Sequence, residues 1–413
     1  MMEYGCIGNP LGHSFSVDIH KRIGRYEYTL RELPPSDVDA FMRRRDFRGI
    51  NVTIPYKQTV IPYLDVIDEM AKSIGAVNTI VNRDGKLCGY NTDFGGMRAQ
   101  IIRAGIEICG KKTLILGTGG TSNTAVAVAK DLGASEIHRV SRSGKGGALT
   151  YEEAYSAHSD AEIIINTSPV GMYPNIDGIP IDICAFPRLS GVFDAVFNPL
   201  NTRLVLKCRE NGINAESGLY MLVTQGVLAA EHFLGEKLPD GTADRIFSEI
   251  SAERRNIVLI GMASSGKSTV GNLLSKRLGR PFYDTDTMIV ERSGMEVAEI
   301  FDKYGEGRFR EMEREVVNEI AKESGAVIAT GGGVPLFTEN VEKLRLNGKL
   351  YWLDRSPDLL TPTFDRPLAR DIETMKRRYY ERYDVYKAAA DETIINNGTA
   401  IEAANEIERK HLK

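Results

Sequence analysis

Cysteine is scarce in this chain. There are five in 413 residues (Cys6, Cys88, Cys109, Cys184 and Cys208), none after Cys208 and no two at C-x-x-C spacing. That argues against a disulfide framework and a cysteine zinc site, and it fits a reducing compartment. Long apolar runs are missing as well, and none approaches the length of a membrane span. The opening Met1-Met2-Glu3-Tyr4 does not have the pattern of a secretory signal, so a cytoplasmic protein is expected. Nor is there an excess of positive charge. Lys and Arg number 52 against 56 Asp and Glu, a formal net charge of −4, which argues against a dedicated nucleic-acid binder. Internal repeats and low-complexity tracts are absent too. What remains is an ordinary globular composition, long enough for two or three domains with small-molecule partners.

The most specific stretch is Gly261–Ser268, G-M-A-S-S-G-K-S, which fits the phosphate-binding loop G-x-x-x-x-G-K-[ST]. The apolar run Ile257–Ile260 before it suits a buried parallel strand. After it, Val270, Leu273, Leu274 and Leu278 recur at helical spacing, and Gly279 is placed to end that helix. Strand, loop and helix N-terminus together aim backbone N–H groups and a positive dipole end at phosphate. In such a loop Gly261 and Gly266 shape the backbone, Lys267 reaches the β- and γ-phosphates, and Ser268 offers a hydroxyl to Mg²⁺, with Thr269 beside it. ATP and Mg²⁺ are therefore expected. P-loop domains begin with this strand, so the preceding 250 or so residues form something else.

That first part opens on a strand at Glu3–Ile7, followed by Gly8–Ser16, G-N-P-L-G-H-S-F-S. By spacing alone Ser14 and Ser16 are equally suited to cap a helix or to bind a ligand. Gly49–Lys57 reads G-I-N-V-T-I-P-Y-K. Ile74–Thr79 (I-G-A-V-N-T) leads through a hairpin turn expected at Asp84-Gly85 to Gly89–Asp93, G-Y-N-T-D. Taken in order, these pieces resemble shikimate dehydrogenase across nearly all of the first half. The resemblance implies that Ser14 and Ser16 bind the substrate carboxylate, that Thr53, Asn78 and Gln225 hold ring hydroxyls, and that Lys57 and Asp93 are the catalytic pair. The chemistry accounts for such a pair: hydride delivery to a ketone makes an alkoxide, which needs a charge and a proton as it forms.

Lys112–Leu116 then reads as a strand running into Gly117-Thr118-Gly119-Gly120, and Ala125, Val128, Ala129 and Leu132 line one helical face closed by Gly133. This unit resembles a Rossmann dinucleotide site, although Ser122 stands where G-x-G-x-x-G has its third glycine. The next strand, Glu136–Val140, ends in Ser141-Arg142-Ser143 with Lys145 beyond, where an NAD site would have Asp or Glu. Arginine with hydroxyls suits a 2′-phosphate, so NADP(H) is the expected cofactor; the alternative is a solvated charge at a strand end. Family wording continues through Asn166–Met172 and Phe193–Pro199, with Phe197 where the family usually has Tyr.

Beyond the P-loop, Phe282–Asp286 (F-Y-D-T-D) puts two carboxylates at alternate positions of an expected strand end. Then come G-E-G-R-F-R-E-M-E ending at Glu313, A-T-G-G-G at Ala329–Gly333, Arg366-Pro367-Leu368, and R-Y-D-V-Y from Arg382. This series is similar to bacterial-type shikimate kinase. The similarity implies that Asp286 contacts the acceptor hydroxyl and Asp284 supports Mg²⁺. It implies also that Arg310 and Arg382 clamp the substrate carboxylate, that Gly331, Gly332 and Gly333 approach the ring and phosphates, and that Arg366 closes from a lid around 361–372. At helical spacing Arg310 and Glu313 also fit a surface pair, and Tyr379, Tyr383 and Tyr386 read as packing.

The expected architecture is α/β throughout. A substrate domain over 1–94 is completed by helices at about 217–250, with a Rossmann NADP domain over 95–216. A linker at 251–256 leads to a parallel-sheet P-loop domain over 257–413. The expected function is a bifunctional enzyme, reducing 3-dehydroshikimate and then phosphorylating shikimate. The rivals are a quinate-preferring dehydrogenase, and a P-loop half that is regulatory or acts on another small acceptor.

Overall fold

The computed structural model describes residues 3–11, 15–361 and 371–412. Ser14, Arg366 and most of the expected lid lie outside the described residues. The chain divides into two compact units, Met1–Asn198 with Thr202–Ile250, and Ser251–Lys413 with Pro199–Asn201.

The first unit holds two sheets. One is mixed, made of β1 (Tyr4–Gly8), β2 (Tyr28–Glu32), β3 (Gly49–Val52), β4 (Val66–Ile67), β5 (Thr79–Arg83) and β6 (Lys86–Tyr90), in the order β2-β1-β3-β5-β6-β4. Asp84 and Gly85 both take positive φ, 51° and 88°, giving the two-residue turn expected between β5 and β6. Ile7, Ile50, Val52, Ile80 and Leu87 form the core beneath it. The apolar helix Leu219–Leu234 returns from late in the chain and packs on the Thr92–Arg103 helix. The two approach closely because position 96 is glycine: a Cβ there would lie 2.6 Å from the Met221 carbonyl oxygen.

The second sheet is wholly parallel: β7 (Lys112–Leu116), β8 (Glu136–Val140), β9 (Ile163–Asn166), β10 (Gly191–Asp194) and β11 (Asn214–Ser217), in the order β11-β10-β9-β7-β8. The chain steps from β7 to β8 on one side and to β9 on the other. The glycine turn after β7 therefore stands at the switch point, where doubly wound sheets bind ligands.

The other unit carries a parallel sheet of β12 (Asn256–Ile260), β13 (Phe282–Asp284), β14 (Val327–Ala329), β15 (Gly348–Asp354) and β16 (Glu392–Ile395), ordered β13-β14-β12-β15-β16. Every residue of the central strand β12 is buried, as an apolar run covered by helices on both faces requires. The Lys267–Leu278 helix follows its loop and ends at Gly279, φ 64°. The chain's single tryptophan, Trp352 on β15, is packed in this core, with Tyr383 edge-on at 5.1 Å and Tyr386 stacked at 5.9 Å.

Two local expectations need correcting. Ser251–Arg254, expected within a linker, is the last turn of the helix Thr242–Arg254, and β12 starts at Asn256. Its carbonyls are taken up locally: Arg280 donates to the Ala252 and Arg255 oxygens at 2.7 and 3.0 Å, and Gly325 N–H to Arg254 at 2.7 Å. Nor does the strand at Phe282 continue through Asp286. Asp284 caps a new helix, Thr285–Ser293, its carboxylate accepting from the backbone N–H groups of Asp286 and Thr287. The two carboxylates therefore diverge instead of sharing a strand face.

Candidate active sites

In the first unit a cavity of about 450 Å³ opens between the two sheets. It is lined on the mixed-sheet side by Ser16, Asn51, Thr53, Lys57, Asn78 and Asp93, and on the parallel-sheet side by Gly120, Thr121, Thr167 and Ser168. Gln225 reaches it from the returning Leu219–Leu234 helix. Lys57 donates to the Asp93 carboxylate at 2.5 Å, and both side chains are largely sheltered from solvent. Asp93 stands in the first turn of the Thr92–Arg103 helix, which Asn91 caps by accepting from Phe94 N–H.

Asn78 is fixed before any ligand arrives. Its Oδ1 accepts from Thr92 N–H at 2.8 Å, and its Nδ2 donates to the Thr92 hydroxyl at 3.0 Å. Asn51, which the sequence reading quoted without assigning, is buried beside it. Its amide donates to the Asn78 carbonyl and the Thr79 hydroxyl and accepts from Tyr28 Oη–H at 2.7 Å. Gln225 donates to the Leu222 carbonyl at 2.9 Å. Phe197 lines the same cavity and meets Phe15 edge-on at 5.3 Å.

The glycine turn fits a dinucleotide. Gly117 has φ 113°, and a Cβ on it would press on the Thr167 hydroxyl at 2.8 Å. Around Gly119 and Gly120 a Cβ would meet only open space, so the backbone is approachable there. Ser122, the departure from the motif, is buried and donates from its Oγ to the Gly117 carbonyl at 2.8 Å, tying the turn shut. Ser141 lies just beyond the C-terminal end of β8, accepting from Gly144 N–H, and Arg142 beside it is exposed.

In the second unit Gly261 and Gly266 both take positive φ, 141° and 94°. Lys267 is buried and donates to the Gly261 and Met262 carbonyls at 2.9 and 2.7 Å. The Ser268 hydroxyl meets the Asp284 carboxylate at 2.6 Å, a pair of oxygens of the kind Mg²⁺ takes directly or through water. Thr269 follows, exposed, on the same first turn.

A separate cleft gathers Asp286, Arg310, Glu313, Arg378, Arg382 and the run Gly331–Gly333. The surface-pair reading of Arg310 and Glu313 fails here, because both are buried. Arg310 Nη1 binds both Glu313 oxygens at 3.0–3.1 Å, while its Nη2 reaches the exposed Glu306 at 2.8 Å. Burial works against the guanidinium's charge, but Glu313 and Glu306 more than offset it and hold Arg310 protonated. Burial pushes the Glu313 carboxyl up to about 7, with Asp286 adding to the rise and Arg310 opposing it.

Two glycines of the run leave room for the charged groups: a Cβ on Gly333 would overlap the Arg310 guanidinium, and one on Gly331 would crowd Asp286 at 2.6 Å. Its backbone is held by Arg382 Nη1 and Tyr386 Oη, which both donate to the Gly332 carbonyl, at 3.1 and 2.6 Å. Tyr386 thus packs, as its spacing suggested, and also fixes the loop. Spacing alone marks Glu313 only as a helical neighbour of Arg310 and leaves Arg378 unmarked. One helical turn before Arg382 is the signal that would have found it.

Comparison with known proteins places a family match in each unit. Residues 6–80 match the family model of the shikimate dehydrogenase substrate binding domain, and residues 263–411 match that of shikimate kinase. A shikimate dehydrogenase (NADP(+)) of Clostridium perfringens is 35% identical over 268 residues, 60% of this chain and 98% of that protein. The chain belongs to the shikimate dehydrogenase family. It carries a shikimate kinase domain at its C-terminus, and is a bifunctional shikimate-pathway enzyme.

Solved dehydrogenases share the fold of its first part. A chorismate mutase/shikimate 5-dehydrogenase fusion protein from Clostridium acetobutylicum is 32% identical with a TM-score of 0.57, over 60% of this chain and 97% of that one. Shikimate 5-dehydrogenase from Thermus thermophilus, in complex with NADP(H) and shikimate, is 27% identical with a TM-score of 0.54, over 60% and 99%. Among the described residues no helix of the bifunctional chain is long and apolar enough to cross a membrane.

Proposed function

We propose that the first unit reduces 3-dehydroshikimate to shikimate with NADPH, and that the second phosphorylates the 3-hydroxyl of shikimate from ATP with Mg²⁺. The observation that carries the first reading is the Lys57–Asp93 pair, in one cavity with Gly120 and Thr121 of the glycine turn. Acid and cofactor then meet at the same carbonyl. NADPH, when bound along the glycine turn, would supply the hydride. Lys57 gives a proton to the oxygen as charge develops there, and regains one from water. Asp93 orients the ammonium, while Thr53, Asn78 and Gln225 hold ring hydroxyls and Ser16, with Ser14, the carboxylate. Gly117, Gly119 and Gly120 suit the pyrophosphate, and Ser141 with Arg142 the 2′-phosphate.

In the second unit Arg310 and Arg382 would take the acceptor's carboxylate, which displaces the exposed Glu306 while buried Glu313 keeps its hold on Arg310. Asp286 accepts the hydroxyl proton as the new O–P bond forms and the bond to ADP breaks. Ser268 and Asp284 would hold Mg²⁺, which screens the phosphate charge, and Lys267 would leave its carbonyls for phosphate oxygens. Arg366 is proposed to close over the nucleotide.

The test supplies 3-dehydroshikimate, NADPH and Mg-ATP to the purified chain and follows NADPH loss together with shikimate 3-phosphate. Lys57→Ala should cut the first signal by about 10²–10⁴-fold while added shikimate is still phosphorylated. Lys267→Ala should abolish only the second. Shikimate accumulating in the wild type would overturn the kinase assignment.

A further inference from the structure

The chain has six histidines, and two of them meet away from both sites. On β8, which ends the order of the parallel sheet, Glu136 and His138 are two residues apart and so share a face. His158 comes from the C-terminal end of the Tyr151–Ala157 helix, and its ring centroid lies 4.2 Å from that of His138. His138 Nε2 is 3.2 Å from Glu136 Oε2, and one donor atom from each of the three residues lies within 4.8 Å of the other two.

The backbone holds His158 in place: its N–H donates to Ala154 and its carbonyl accepts from Ala161. Its ring Nδ1 is nevertheless buried without a hydrogen-bond partner among the described residues. The buried His20 and His411 differ, their rings reaching Tyr26 Oη and the Ala252 carbonyl. A histidine with a buried, unpartnered ring nitrogen, set beside a second imidazole and a carboxylate, is placed to bind a metal.

We propose that Glu136, His138 and His158 form a divalent transition-metal site, with Zn²⁺ as the fitting ion. Two imidazoles and a carboxylate are borderline donors of the type zinc takes, with water completing a tetrahedron. Zn–N and Zn–O bonds of about 2.0–2.2 Å put ligand atoms roughly 3.4 Å apart, so the trio must close by at most about 1.4 Å, within reach of side-chain rotation. Against it stands the Lys112 ammonium, 3.3 Å from Glu136 but closer, 2.9 Å, to Asp160. Asp160 can keep the ammonium while Glu136 turns to the metal. Bound there, the ion would clip the edge strand β8 to the segment after the helix and stabilise only the folded first unit.

The full-length chain, freed of metal with a chelator, is titrated with ZnCl₂ by calorimetry and by thermal melting. The wild type should bind one equivalent more than His138→Gln/His158→Gln and show a zinc-dependent rise in Tm that the double variant lacks. Co²⁺ should give d–d absorption at this site only in the wild type. Equal stoichiometry and equal melting shift in the two proteins, including no binding by either, overturns the site. Zinc-free dehydrogenase turnover unchanged in the double variant confirms that it folds. Should it not fold, Glu136→Gln must weaken zinc binding by about tenfold or more, and unaltered affinity overturns the site equally.

Discussion

In the dehydrogenase unit Lys57 already touches the Asp93 carboxylate, whereas in the kinase unit Lys267 donates to carbonyls of its own loop. The contrast suits the role proposed for each lysine. A proton donor must stand at a fixed point when charge appears on one oxygen, so a partner that orients it beforehand serves the reaction. A phosphate-binding lysine must exchange partners, and carbonyls 2.7–2.9 Å away keep it satisfied until it does. The means of assembly differ as well. The dehydrogenase cavity draws on residues from Cys6 to Gln225, while eight consecutive residues make the phosphate loop.

The comparison can be broken first at the acceptor cleft. Gly333→Ala should drive its new methyl into Arg310 and raise the acceptor KM by about 10–100-fold, with shikimate oxidation by the first unit unchanged. Steady-state kinetics of both reactions on one preparation checks this, and an unchanged KM would remove Arg310 from the binding of the carboxylate.

Acid titration sharpens the contrast next, because among the described residues each unit buries a carboxyl with a raised pKa. Asp194 is pushed up to about 6 by burial, against hydrogen bonds from Thr202, Val196 N–H and Asn166, and Glu313 to about 7. In each case the folded state keeps a proton that the unfolded chain has already lost. Stability should therefore fall as pH rises, from about 4 to about 6 for Asp194 and from about 4.5 to about 7 for Glu313, by roughly 1–3 kcal/mol each. Denaturant melts at about pH 5 and about pH 8 should show this drop in the wild type and a smaller one in Glu313→Gln; equal slopes would place the Glu313 proton elsewhere.

The smallest effect concerns Phe197. Phe197→Tyr adds a hydroxyl to the dehydrogenase cavity and should lower the substrate KM by up to about fivefold, about 1 kcal/mol. A raised KM would mean that the edge-on contact with Phe15 matters more than the hydroxyl.

What the sequence made legible was local. The strand, loop and helix around Lys267, the Asp84-Gly85 turn and the Gly279 stop each depend on a few adjacent residues, and each appears in the fold. Readings that depended on distant partners went astray or were missed. Ser251–Asn256 is polar enough to pass for a linker, yet Arg280 and Gly325 supply the hydrogen bonds that take up its last helical turn. Asp284 and Asp286 alternate as a strand would, until the Asp284 side chain caps a helix and turns them apart. Glu313 looked like one more charge on a helix; only the packing of the glycine run and Asp286 around it makes it a buried group of the cleft.

Trp352, alone of its kind in the chain, lies against Tyr386, whose hydroxyl grips the Gly332 carbonyl. Its emission is thus a built-in optical label for one catalyst of the two. Light that excites indole and not phenol will follow the melting of the kinase part without a signal from the reductase. Any acceptor that shifts the glycine run should also alter the brightness or colour of that single fluorophore, with no dye or coupled enzyme needed.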